Sequence, residues 1–212
     1  MMKYHKIQTV FKRDPDTKFK TLIEGSYSLP EFEYLANNIW TFTEKVDGTN
    51  IRVMFDGEKI FFGGKTDRAQ TPAFLIARLT DLFEPQIKMF KELFADGVCL
   101  YGEGYGAKIQ KGGGNYRQDQ SFVLFDVMVG NWWLRRRDVH DIAIKLGIDV
   151  VPVIGTGTLS AMVELARRGF KSTWGDFTAE GIVARPLVEL QSRNGNRVIT
   201  KIKYKDFPSE HR

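Results

Sequence analysis

Between Phe74 and Phe94, apolar residues recur at helical spacing: Leu75, Leu79, Leu82, Phe83, Ile87 and Phe90 fall on one side of the pattern, so residues 73–95 predict an amphipathic helical stretch. Pro85 lacks an amide donor and predicts a break or kink within it. Two shorter amphipathic helices are predicted at 138–146 and 159–168, separated by a short strand at 150–154. The remaining apolar segments read as strands. Residues 40–62 are extended in pattern, and Asp56-Gly57 divides their alternating half as a hairpin turn. Residues 98–105, 122–129, 182–184 and 198–204 predict further strands. The 122–129 strand is apolar almost throughout except for Asp126, a carboxylate that needs a partner in such surroundings. Residues 1–38 are mixed and polar, with a turn at Asp14-Pro15-Asp16 and a short helix opening at Leu29-Pro30-Glu31. Strands and helices mix without regular βαβ alternation, which predicts the α+β class. There is no internal repeat and no long linker, and 212 residues suit a single domain, 1–212, with 1–38 as an extension packed on the core.

Composition changes this picture little, and charge somewhat more. With 42% hydrophobic and 27% charged residues, the chain is ordinary for a globular protein and not for a disordered one. A net charge of +5 favours an anionic partner. No apolar run approaches the ~18 residues of a membrane-spanning helix, and the N-terminus lacks the apolar core of a secretory signal. The lone Cys99 excludes an intramolecular disulfide and predicts a reducing, cytoplasmic setting, host cytoplasm for a viral protein. His5, His140 and His211 stand far apart and form no zinc-like spacing with one cysteine. A metal used here would be a carboxylate- and phosphate-bound Mg²⁺, or Mn²⁺ in its place.

Candidate chemistry concentrates in Glu44-Lys45-Val46-Asp47-Gly48-Thr49-Asn50, between two strand-like runs. A lysine attacks phosphorus only as the neutral amine, so its reference pKa of about 10.4 has to be lowered by cations, a metal or desolvation. Gly48 permits a tight turn or a close approach of ligand to backbone. Taken alone, the segment reads more readily as a hairpin end with a surface lysine, since K-x-D-G occurs often by chance. Lys201, Lys203 and Lys205 repeat at strand period, which would put three like charges on one face. Such a row is stabilised by an anion, although edge strands also carry lysines to prevent aggregation. The glycine-rich stretch 108–117 contains Lys108, Lys111, Tyr116 and Arg117 and reads either as a mobile loop gripping a phosphate backbone or as a disordered surface loop. Trp132-Trp133 before Arg135-Arg136-Arg137 reads as a hairpin with one packed tryptophan, the arginines leading into the next helix.

These segments occur in an ordered series. Lys45 to Gly48 gives K-x-D-G. It is followed by Gly64-Lys65-Thr66, the Gly102-Glu103 pair, Phe125-Asp126 closing an apolar run, Glu180-Gly181-Ile182-Val183-Ala184-Arg185, and Lys203-Tyr204-Lys205. The series resembles the covalent nucleotidyltransferases (ATP-dependent DNA ligases, RNA ligases and mRNA-capping enzymes), and most of all RNA ligases of the phage RNA ligase 2 type. It spans residues 44–207. Each match is weak alone; their order and spacing give the resemblance its weight.

The resemblance implies a nucleotidyltransferase core in which two antiparallel sheets with flanking helices surround an ATP cleft. It implies that Lys45 attacks the α-phosphate of ATP and holds AMP, with Lys203 and Lys205 offsetting charge on that phosphate. Glu180 would bind a divalent metal, Mg²⁺ or Mn²⁺. Glu103 would hold the ribose, Phe125 would stack on adenine, and Glu44, Asp47, Asn50, Lys65, Asp126 and Glu180 would belong to the nucleotide site. Asn50, where many DNA ligases show arginine, leans towards RNA ligases. The implied activity joins 5′-phosphate and 3′-hydroxyl ends of RNA, with DNA ends, a GTP-using capping reaction and a lapsed end-binding module as alternatives. Family members carry an OB-fold or helical domain after the last motif, which does not fit in the five residues 208–212. Substrate ends are therefore expected to be held by the core's own basic surface, including Lys108, Lys111 and Arg117, or through a partner protein.

Overall fold

The computed structural model describes residues 4–208; His211 lies outside them. In chain order, the strands β1 (Gln8–Thr9), β2 (Phe11–Arg13) and β3 (Leu22–Tyr27) precede a short helix, α1 (Pro30–Tyr34). Strands β4 (Trp40–Lys45), β5 (Thr49–Phe55) and β6 (Ile60–Gly64) lead to helices α2 (Ala73–Phe83) and α3 (Ile87–Leu93). Next come β7 (Val98–Gly106), β8 (Gln120–Val129), β9 (Trp132–Trp133), α4 (Arg136–Leu146) and β10 (Asp149–Val150). The chain continues through β11 (Val153–Gly157), α5 (Leu159–Arg168), β12 (Gly181–Pro186) and β13 (Thr200–Lys203). This is a mixed α+β architecture of three sheets. It divides into two compact units, one central in sequence (Met1–Tyr4 with Asp47–Val151) and one terminal (His5–Val46 with Pro152–Arg212).

The central unit holds a six-stranded sheet in the order β10-β8-β7-β5-β6, with β9 also pairing β8. Ile51, Val53 and Phe55 of β5, Val98 and Leu100 of β7, and Phe122, Leu124 and Val127 of β8 turn one face into a core. Leu75, Leu79 and Phe83 of α2, Phe90 of α3, and Val139, Ile142, Ala143 and Leu146 of α4 cover that face. Those α4 positions follow i, i+3, i+4, i+7, and Gly147 ends the helix at φ +58°, where a residue with a Cβ is strained. Pro85 breaks the 73–95 pattern as expected, through a single 3₁₀ turn between α2 and α3. In the hairpin β5–β6, Asp56 Oδ1 accepts from the amides of Glu58 and Lys59, while Gly57 takes φ +102°. Those amide hydrogen bonds hold the Asp56 carboxyl below the usual carboxylate range.

The terminal unit holds a five-stranded sheet in the order β1-β13-β12-β4-β11 and the small β2–β3 ribbon. Trp40 and Phe42 of β4, Ile182 and Ala184 of β12, and Ile202 of β13 point into its core, where Leu159, Met162, Val163 and Ala166 of α5 meet them. Thr158 caps α5, its side chain accepting from the Ala161 amide at 3.3 Å.

Both large sheets depart from the antiparallel arrangement expected, since β1 runs parallel to β13 and β10 parallel to β8. In each case the pairing strand lies far along the chain or across a helix, as a parallel neighbour requires. The single strand expected at 150–154 is two, β10 and β11, in different sheets, with Pro152 between them supplying a carbonyl to the Glu44 amide. The strands of residues 8–27 carry no readable alternation because β3 buries none of its residues fully. Among the described residues no helix is long and apolar enough to cross a membrane.

Candidate active site

In the terminal unit, three adjacent strands bring the first, fifth and last motifs into one row. Gly181 of β12 lies opposite Lys45 on one side and Lys203 on the other. Phe42, Ile182 and Ile202 fill the core, so strand alternation sends Lys45 and Lys203 to the opposite face. Glu180, one residue before β12, spans the row. Its Oε2 accepts a hydrogen bond from Lys45 Nζ at 2.5 Å, and its Oε1 lies 2.5 Å from Lys203 Nζ. The second contact is an ion pair by distance, but its approach falls outside hydrogen-bond angles, leaving buried Oε1 an acceptor without a hydrogen bond. The two lysine side chains are 19% and 21% exposed and so remain reachable. Position 181 must be glycine for steric reasons: a Cβ there would sit 2.2 Å from the Ile202 carbonyl oxygen and 2.7 Å from the Lys203 Cα.

Lys205 does not share that face. The strand stops at Lys203 and a 3₁₀ turn, Tyr204–Asp206, breaks the two-residue period. Buried Asp206 makes the turn, accepting from the Lys203 amide at 2.9 Å and from Arg13 Nη2 at 2.8 Å, and leaves Lys205 exposed. Neither Asp206 nor Arg13 was singled out from sequence; only the buried carboxylate reveals them. Glu44, expected among the nucleotide contacts, turns into the protein instead. Its carboxylate is almost wholly buried and accepts from Ser172 Oγ at 2.6 Å and from the Thr173 amide and hydroxyl, both at 2.9 Å. Alternation explains the reversal, because Glu44 lies between the two strand positions 43 and 45 of the opposite face.

The central unit collects a second set. Asn50 and Glu103 are cross-strand partners on β5 and β7, on the face away from the core. Gly102 and Gly104 flank Glu103 because the core leaves no room at either position: a Cβ would meet Phe122 at 2.2 Å and Leu75 at 2.8 Å. Asn50 Oδ1 is buried without a hydrogen bond, an acceptor available to a ligand's donor. A register shift between β7 and β8 makes Phe125 an extra residue and moves the core parity from Leu124 to Val127. Phe125 packs edge-on against Tyr4 at 5.1 Å, and the Tyr4 hydroxyl donates to fully buried Asp126 at 2.5 Å, the partner that carboxylate required. Trp133 completes this aromatic group against Tyr101 at 5.1 Å, while Trp132 faces outward. Lys65 is exposed one residue past β6. Buried Arg52 fixes the start of its loop, donating to the Gly64 carbonyl and to Asp67, both at 2.8 Å.

The 108–117 stretch is a built loop. Gly113 abuts the Gly106 carbonyl so closely that a Cβ would lie 1.9 Å from that oxygen, and the Ala107 amide donates to the carbonyls of Arg117 and Asp119. Two of its side chains reach the K-x-D-G turn. Tyr116 Oη accepts from the Asp47 amide at 3.1 Å, and Gln110 Nε2 donates to the Gly48 carbonyl at 3.0 Å. Arg117, expected to hold a phosphate backbone, is engaged by Asp119 through contacts of 2.5 and 2.9 Å. That pairing raises the guanidinium above its ordinary pKa and holds the Asp119 carboxyl below its own. Lys108 and Lys111 are exposed.

Among the described residues no group of three histidine, cysteine or carboxylate side chains could hold a metal ion. The buried Glu180 Oε1, an acceptor without a hydrogen bond, is chemically suited to a cation of the Mg²⁺ type, which is commonly held by one or two carboxylates plus phosphate oxygens and water.

The fold is shared with Naegleria gruberi RNA ligase. A mutant of that enzyme with ATP and Mn matches at 16% identity and a TM-score of 0.67, over 96% of this chain and 56% of that one. Another with AMP and Mn matches at 17% identity and a TM-score of 0.65, over 95% and 57%. A third, with ATP and Mn, matches at 18% identity and 0.64, over 84% and 54%. The chain thus spans somewhat over half the length of these solved relatives. No curated protein sequence matches it. The RNA ligase family profile covers residues 38–203, from just before β4 to the last residue of β13, and so takes in Lys45, Glu180 and Lys203 together. The chain belongs to the RNA ligase family.

Proposed function

We propose that this chain is the adenylyltransferase core of an ATP-dependent RNA ligase, of the phage RNA ligase 2 type, acting through a covalent lysyl-AMP. The observation that carries the reading is the shared carboxylate: Glu180 lies within 2.5 Å of both Lys45 and Lys203, on neighbouring strands of one sheet. A nucleophile, a second cation and a metal-type carboxylate thus converge on a space suited to one phosphate. Family membership supports the activity, and the ATP, AMP and PPi complexes of the Naegleria enzyme support the nucleotide.

In this reading Lys45 must leave its ion pair and lose a proton before it attacks. The new bond joins Lys45 Nζ to the α-phosphorus; the bond that breaks is from that phosphorus to the bridging oxygen, and pyrophosphate departs. Lys203 stays beside the α-phosphate and offsets the charge that builds there. A divalent cation on Glu180 supplies further neutralisation of phosphate charge. The AMP then passes to an RNA 5′-phosphate, breaking the N–P bond, and a 3′-hydroxyl displaces it to form the phosphodiester. Glu103 and Asn50 are assigned to ribose and nucleotide contacts and Phe125 to adenine.

Purified protein given labelled ATP with Mg²⁺ or Mn²⁺ is expected to gain one acid-labile, alkali-stable AMP, and labelled GTP to give none. Labelling by GTP alone would replace this reading with a capping-type one. Joining of 5′-phosphorylated RNA is expected to be far more sensitive to salt than this labelling. Six or more phosphate contacts cost on the order of a thousandfold in affinity between low and moderate salt, whereas a small ligand held by a few residues loses little. Neutralising Lys108 and Lys111 should weaken joining and spare labelling; equal salt sensitivity of the two steps would mean that RNA phosphates are not held by this surface.

A further inference from the structure

Lys203 is the last residue of β13, and the aim of a side chain at a strand's end depends on how firmly the backbone beneath it is held. Here that backbone is tied twice. The Tyr204 amide donates to the Glu180 carbonyl at 3.0 Å, which joins the start of the 3₁₀ turn to the residue that enters β12. Asp206 then folds back, its Oδ2 accepting from the Lys203 amide at 2.9 Å and its Oδ1 from Arg13 Nη2 at 2.8 Å. The Asp206 side chain is 2% exposed, and Arg13, at the end of β2, supplies its counter-charge. Arg13 is in turn held by the loop that follows it, its Nη1 donating to the Phe19 carbonyl at 3.2 Å and to the Lys20 carbonyl at 3.4 Å. A buried ion pair contributes little net stability compared with apolar packing of the same volume. One that ends a strand at the lysine of the phosphate row therefore has a role other than stability.

We propose that Asp206 and Arg13 are positioning residues for the lysyl-AMP step, acting through Lys203. Arg13 orients the Asp206 carboxylate, and Asp206 holds the Lys203 amide. That amide anchors the side chain whose ammonium lies 2.5 Å from Glu180 Oε1. Arg13, Glu180, Lys203 and Asp206 all belong to the terminal unit. Neither Asp206 nor Arg13 touches the reacting atoms. The inference rests on the lysyl-AMP reading above, in which Lys203 offsets charge on the α-phosphate only while it is aimed there. Misplacement of a catalytic group by about an ångström costs on the order of a hundredfold in rate, so a Lys203 that is loosened and still finds its place part of the time should cost roughly tenfold.

Asp206→Asn keeps the shape of the side chain and removes its charge; Arg13→Ala removes the partner that orients it. Labelling under single-turnover conditions at saturating ATP separates the rate constant from the fraction of protein finally labelled. The rate constant is expected to fall about tenfold in each variant, with the labelled fraction and the half-saturating ATP within about twofold of the parent. The double variant should be no slower than Asp206→Asn alone by more than about twofold, because Arg13 acts through Asp206. In a Lys203→Ala background the side chain to be positioned is gone, so there Asp206→Asn should slow labelling by less than about twofold. Parent-like rate constants in both single variants would overturn the inference while leaving the lysyl-AMP reading intact. A tenfold loss that persists in the Lys203→Ala background, or a loss confined to the labelled fraction, would also overturn it, since each marks a structural role that does not pass through Lys203. Failure of the parent protein itself to accept AMP would overturn the underlying reading, and the inference with it.

Discussion

Lys45→Ala protein incubated with labelled ATP and Mn²⁺ is expected to carry no covalent AMP, and Glu180→Ala protein to label at least about a hundredfold more slowly than the parent. The two losses have different causes, and the geometry separates them. On the proposed reading Lys45 supplies the nitrogen of the N–P bond, so Lys45→Arg, which keeps the charge, should be as empty as the alanine variant. Glu180 supplies no bond to the product. Its carboxylate stands between Lys45 and Lys203 at 2.5 Å from each, so removing it takes away the counter-charge that the two ammonium groups share across Gly181. On the proposed reading it also removes the carboxylate that would receive the cation. Raising Mn²⁺ should therefore rescue Glu180→Asp, where the carboxylate is withdrawn by one methylene, and should not rescue Glu180→Ala. Full labelling of Lys45→Ala would transfer the nucleophile to another lysine; metal-independent, parent-like labelling of Glu180→Ala would remove Glu180 from the phosphate site.

Why the sequence showed some of this and hid the rest is a matter of period. Lys45, Glu180 and Lys203 were legible as members of an ordered motif series; that they form one row at Gly181 follows from the strand pairing, which no single segment encodes. The same rule places Glu44 on the core side, but its carboxylate finds partners at Ser172 and Thr173, in a segment with no helix or strand pattern to announce it. Lys205 looked equivalent to Lys203 as long as the strand continued. The turn that ends it depends on Asp206 meeting Arg13, 193 residues earlier, which no local pattern encodes. Helices α2 to α5 were visible because their buried faces recur every three to four residues, whereas β1 to β3 were not, because β3 has no fully buried face. The 108–117 loop illustrates the remaining limit. Its glycines read as mobility, yet Gly113 is there because the Gly106 carbonyl approaches too closely for any Cβ, a reason that exists only in three dimensions.

Gly181→Ala should destroy the site while leaving every functional side chain in place in the sequence. Gly181 pairs with Lys45 on one side and Lys203 on the other, so the β12 backbone at that point sets the spacing between nucleophile and second cation. An added methyl would be 2.2 Å from the Ile202 carbonyl oxygen, 2.7 Å from the Lys203 Cα and 3.1 Å from the Ile202 carbonyl carbon. All three are backbone atoms, so no side-chain rotation relieves the contact. The strands must part by the better part of an ångström at the row where Glu180 spans both lysines. Overpacking of this kind costs about 1–3 kcal/mol, which for a chain of this size lowers the thermal midpoint by roughly 2–4 °C per kcal/mol. The chemical loss should be much larger than that. At a temperature where the variant is still folded, lysyl-AMP formation is expected to fall by a hundredfold or more, about the effect of misplacing a reacting group by an ångström. Val183→Ala makes the matched control, since position 183 pairs Thr43 and Lys201 on the same face, one row away from the site, and loses volume instead of gaining it. Circular dichroism and labelling measured together on both variants decide the point: a folded Gly181→Ala protein that accepts AMP at the parent rate would show that the spacing of β4, β12 and β13 does not set the geometry of attack.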